Sequence, residues 1–100
     1  MIRHCVWWTL LEQAEGNSAE VNARLMMEKF ESLRGLPGLK DLEVAVHFLP
    51  TTTEEVQIVL LTTHDDIAGL RTYRSDPDHL DVVDFIKKFV STRKCIYWEV

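Results

Sequence analysis

From Ile2 to Leu11 the chain reads IRHCVWWTLL, and its positions sort into two interleaved sets. Ile2, His4, Val6, Trp8 and Leu10 point one way and Arg3, Cys5, Trp7, Thr9 and Leu11 the other, the period of two that a strand imposes. Both sets are largely apolar, so both faces of this strand need cover. EQAEGNS, a turn by composition, follows. Asn17 or Ser18 then caps a helix in which Ala19, Ala23, Met26, Phe30 and Leu33 recur at steps of four and three, an apolar stripe on an otherwise charged cylinder. Gly35 supplies its C-terminal stop, with Pro37 just beyond.

A second strand is predicted where Leu42, Val44, Val46 and Phe48 alternate with Glu43, Ala45, His47 and Leu49. PTTTEE is a loop, and VQIVLLTT, almost continuous in branched apolar residues, reads as a strand covered on both sides. HDDIAGLRTYRS predicts a short helix opened by Asp65 or Asp66, weakened at Gly69 by about 1 kcal/mol relative to alanine. Asp76 and Pro77 suit the cap and first position of another helix, on which His79, Val82, Val83, Ile86 and Phe89 or Val90 share one face. RKCIYWEV closes the chain as a strand.

The order β-α-β-β-α-β is the ferredoxin-like pattern, here as a single α+β domain over residues 1–100. It implies a four-stranded antiparallel sheet with helices on one face and the other face bare. That bare face would carry Cys5 and Trp7, too apolar to stay wet across a whole sheet. A homodimer joined through the open sheet faces is therefore expected.

Charge and composition narrow the partners. Sixteen acidic against eleven basic side chains leave a net charge of −5, which disfavours binding to nucleic-acid phosphates. No apolar run reaches the roughly 20 residues of a membrane span, and the start lacks a signal-peptide core, so a soluble cytoplasmic protein without membrane contact is expected. Cys5 and Cys95 have neither CxxC spacing nor a Cys/His cluster beside them and read as two buried free thiols. No close-spaced ligand pair supports a metal, and no cofactor is expected.

MIRHCVWW at the start, LPGLKDLEV after the first helix, LRTYRSDPDHLDVVDFIKKFV and the closing RKCIYWEV together resemble the stress-responsive A/B barrel (Dabb) family over essentially the whole chain. The resemblance implies an α+β barrel made by two subunits. The family includes a plant polyketide (olivetolic acid) cyclase, which closes its substrate by an intramolecular aldol reaction without cofactor or metal. What that implies here is His79 as base, Tyr73 as oxygen partner and His4 in the cavity wall. Gln57 stands where the cyclase has a further histidine, Asp76 where it has the histidine of a His-Pro pair, and Tyr97 where an acid is common.

Tyr73 and His79 are six residues apart across the break at Asp76, so they converge only if that break folds both pieces onto one pocket. The helix N-terminus favours a neutral His79 ring, while Asp78 and Asp81 favour the charged one. Read by position alone, His79 and His4 are also satisfied interior groups, and Tyr73 a plug with its hydroxyl at the rim. His47 and His64 are expected to face solvent. Three functions follow: a binder of a small apolar or aromatic molecule in a pocket lined by His4, Trp8 and Gln57; a cofactor-independent acid/base enzyme using His79 and Tyr73; or a structural, stress-associated oligomer whose pocket is filled by side chains.

Overall fold

A computed structural model describes residues 1–100. Strand β1 spans Ile2–Leu10, and its predicted inward set is buried at every position: Ile2, His4, Val6, Trp8 and Leu10. Leu11 leaves the strand, and EQAEGNS forms a miniature hairpin, β2 (Gln13–Ala14) against β3 (Asn17–Ser18). Glu15 and Gly16 at its tip both have positive φ, as a tight two-residue turn requires. Helix α1 (Ala19–Glu31) is capped by Ser18, whose Oγ accepts the Val21 N–H at 3.3 Å. Ala23, Met26, Phe30 and Leu33 are buried beneath it, and Phe30 stacks on Trp8 with ring centroids 5.1 Å apart.

The second main strand, β4, runs only from Asp41 to Ala45, shorter than the alternation through Leu49 predicts. It is an edge strand, and its last paired residue, Ala45, lies opposite Val59 near the start of β5 (Ile58–His64). Past that point it has no ladder partner, whatever its side-chain pattern. Helices α2 (Ile67–Ser75) and α3 (Pro77–Ile86) follow, then one 3₁₀ turn and β6 (Val90–Glu99), which begins three residues ahead of RKCIYWEV.

The four long strands lie in the order β4-β5-β1-β6 with every neighbour antiparallel, the ferredoxin-like topology. Helices cover one face, and the molecule is 18 Å deep along its shortest axis, the depth of one sheet and one helix layer. Register puts Cys5, Trp7, Val59, Leu61, Ile96 and Trp98 on the open side, where Ile96 and Trp98 are exposed. Cys95 pairs with Val6 rather than Cys5, so the two free thiols lie on opposite faces of adjacent strands. Both are half-buried rather than buried: Cys5 lies on the uncovered side of the sheet, and Cys95 lies on the helix side of the edge strand β6. No helix is long and apolar enough to cross a membrane.

Candidate functional site

The break at Asp76 is built by that one side chain and its backbone. Its N–H donates to the Tyr73 carbonyl and closes α2, while its Oδ1 accepts the Asp78 N–H at 2.9 Å and opens α3. Pro77 takes the first turn, where a missing N–H costs nothing. The chain thereby folds Tyr73 and His79 onto the same side, ring centroids 4.7 Å apart. Each of the two helices donates one member of the pair.

Between these helices and the sheet lies a cavity of about 510 Å³. His4, Trp8, Tyr73 and His79 all line it; Val82, Ile86 and Leu60 supply apolar wall, and Leu80 and Val83 stand at its exposed margin. Trp98 lies elsewhere, in a groove at the end of the sheet with Ile67 and Leu70. Gln57 does not reach the cavity either. Its Oε1 accepts the Leu10 N–H at 2.6 Å, and it borders a separate depression with Val46 and His47. As the residue just before β5, Gln57 serves to satisfy the end of β1.

Three of the cavity's polar groups are held in defined states. Tyr73 is 1% exposed, its hydroxyl has no hydrogen-bond partner in the protein, and burial pushes its pKa up to about 12. It is therefore a donor and not a phenolate. His4 lies parallel to Tyr97, centroids 4.1 Å apart, with Nε2 buried and unpartnered. Burial first, then the charges of Arg93 and Arg74 and the neighbouring His64 and His79, hold it down at about 4. His79 Nδ1–H donates to the Arg74 carbonyl at 3.1 Å, since a carbonyl only accepts, and this leaves Nε2 with its lone pair. Burial pulls its pKa down; the Arg74 hydrogen bond and Asp76 oppose this without reversing it. The sign that position alone leaves open is settled by burial, in favour of the neutral ring.

His64 is not solvent-facing but wholly buried. It is the last residue of β5, and the alternation Ile58, Leu60, Thr62, His64 carries it inward. Its Nδ1–H donates to the Gly38 carbonyl at 2.6 Å, and its Nε2 accepts from Thr62 Oγ1 at 2.9 Å. Its ring lies 5.1 Å from that of Tyr73, so the phenol sits between two imidazoles. The backbone makes this anchor possible: Gly38, at φ 83°, rests so close to Gly69 that an added Cβ would come within 2.1 Å of the Gly69 carbonyl oxygen. It is the missing Cβ of Gly38 that lets the two backbones meet; a Cβ on Gly69 would stand 3.4 Å from the Gly38 carbonyl oxygen, an ordinary contact.

The sequence profile of the stress responsive A/B barrel domain matches residues 2–100. The chain belongs to that family. No curated protein matches it. Among solved structures, this A/B barrel domain is similar to a dimeric protein of unknown function and ferredoxin-like fold from Bacteroides fragilis NCTC 9343, at 20% identity and a TM-score of 0.83 over 99% of this chain and 95% of that one. A dimeric ferredoxin-like protein of unknown function from Thermobifida fusca YX matches at 17% identity and 0.82, over 99% and 90% of the two chains. A Dabb family protein from Mesorhizobium loti MAFF303099 matches at 24% identity and 0.74, over 99% and 95%.

Within this A/B barrel domain, three residues escape a reading by motif: Arg74 and Arg93, which line the cavity, and His64, which packs against Tyr73. One had a signal: extending the β5 alternation by one step buries His64. Arg93 is turned to the helix side by its register opposite Trp8, which only the folded sheet fixes. Arg74 had none, because its place at the cavity depends on how α2 ends. No group of three or more His, Cys, Asp or Glu side chains is placed to hold a metal ion.

Proposed function

We propose that this A/B barrel protein is a homodimer, joined through its open sheet faces, that binds a small apolar or aromatic molecule in the cavity beneath α2 and α3. The cavity carries the reading. Protein interiors are packed like organic crystals, with few voids larger than a water molecule, whereas ligand pockets run to roughly 300–1,000 Å³. A space of about 510 Å³ walled by Trp8, Leu60 and Ile86 falls in the second class, which weighs against an oligomer whose pocket is filled. Dimerisation is supported by the exposed Ile96 and Trp98 beside half-buried Trp7, and by the dimeric relatives from B. fragilis and T. fusca.

Metabolite capture tests the binding. The protein is incubated with a small-molecule extract, desalted and read by mass spectrometry beside Leu80→Trp, which narrows the cavity margin from an exposed position. A compound retained by the parent and lost from the variant supports the proposal; no compound retained above an inert protein of equal size sinks it.

A second reading, acid/base catalysis, is favoured by one specific arrangement. His79 is neutral with Nε2 free, and Tyr73 beside it is a protonated donor without a partner. A base to remove a proton next to a carbonyl and a hydroxyl to steady the enolate oxygen are what an aldol closure requires. On any compound found to be turned over, His79→Ala and Tyr73→Phe should each lower the rate by about 100-fold or more. Unchanged rates would eliminate both roles.

A further inference from the structure

The charge around the cavity is not that of the protein. The chain carries sixteen carboxylate side chains against eleven basic ones, yet no Asp or Glu lines the cavity, while Arg74, Lys87 and Arg93 do. Lys87 lies 3.9 Å from Asp84, but neither Arg74 nor Arg93 has a carboxylate partner. Arg93 Nη1 meets only Cys95 Sγ, at 3.6 Å. The carboxylate felt by His79, that of Asp76, is occupied in capping α3. Two further polar atoms among the lining side chains want partners: Tyr73 Oη and His4 Nε2, on residues 1% and 8% exposed.

An apolar chamber with a hydroxyl donor and two unpaired guanidiniums suits one kind of occupant. Resting on the cavity being a ligand site, we infer that its ligand is an organic anion, a monocarboxylate on an apolar or aromatic body, whose head lies among Tyr73, Arg74 and Arg93 and whose body lies against Trp8 and Ile86. An ionised carboxylate accepts hydrogen bonds only, so it satisfies the Tyr73 hydroxyl and offsets both arginines. Both arginines are exposed and keep their hydration, so a neutral ligand of the same shape gains nothing from them, whereas an anion gains their attraction.

The experiment compares 4-phenylbutyrate with 4-phenylbutan-1-ol, equal in body and different in head charge, by calorimetry on the whole protein at pH 7 and low salt. The acid should bind at least tenfold more tightly. Arg74→Gln and Arg93→Gln should each reduce that preference several-fold while leaving the affinity for the alcohol within about twofold, and Arg93→Lys should retain most of it. Ring NMR supplies a readout that a general surface attraction would not move. His4 faces Arg93, Arg74, His64, His79 and Tyr97, so an anion placed among them should raise its titration midpoint when the acid binds and not when the alcohol does. Equal affinities for acid and alcohol, or a preference untouched in both glutamine variants, would overturn the inference and leave binding standing. Failure of both compounds to bind at millimolar concentration would overturn binding itself, and the inference with it.

Discussion

Replacing Tyr73 by phenylalanine should make the protein more stable. The ring would keep its place between His64 and His79, so no cavity opens and the apolar contacts stay. What disappears is a hydroxyl that is buried, 1% exposed as a residue, and without a partner in the protein. An unsatisfied buried donor destabilises a fold by roughly 1–3 kcal/mol. Taking the lower end of that range gives about 1 kcal/mol. For a domain of this length that is a rise in Tm of roughly 5 °C. The assay is thermal unfolding of both proteins at one protomer concentration, since the Tm of any protein that self-associates depends on it. The same variant should lose affinity for 4-phenylbutyrate, a gain in stability coupled to a loss of binding that marks a group held in place for a ligand. A variant that melts several degrees below the parent would refute the reasoning, since it would show that the hydroxyl is bonded in the folded state.

Acid should destabilise the protein in a defined window. His4 falls from its usual 6.5 to about 4 on folding, and His64 and His79 shift in the same direction. Above pH 6.5 the rings are neutral in both states; as pH falls from 6.5 towards 4 the unfolded chain takes up protons that the folded one resists, and stability is lost. His4 alone contributes at most about 3 kcal/mol of that loss. Urea unfolding between pH 7.5 and 4.5 measures it, and a slope no shallower in His4→Gln would count against this assignment. Gly38→Ala meets both a positive φ and the Gly69 carbonyl 2.1 Å from its new Cβ, so it should cost more than about 2 kcal/mol. A denaturant midpoint close to the parent's would contradict the close approach of the two glycines.

Alternation and capping were legible because each depends on a few neighbouring residues. The inward set of β1, the stripe of α1 and the cap at Asp76 stand where local chemistry puts them. β4 fell short of its pattern because a strand needs a partner as well as a period, and pairing ends at Ala45. His64 shows the complementary reason: expected to face solvent just before a helix, it belongs to a strand that runs one residue further and takes it inside.

The sequence by itself determined the main strands and helices, their order and the face most of them would bury, since strand and helix periods act over a few residues and the antiparallel βαββαβ order admits few arrangements. Only the tertiary structure decided which polar groups share the cavity. Tyr73, His79 and His4 come from two helices and a strand, with His64 packed behind Tyr73 from another strand, and their protonation follows from burial that no single segment creates. Gln57 was lost from that group because its side chain satisfies the end of β1, and Arg74 and Arg93 joined it through the way α2 ends and the register of β6 on β1.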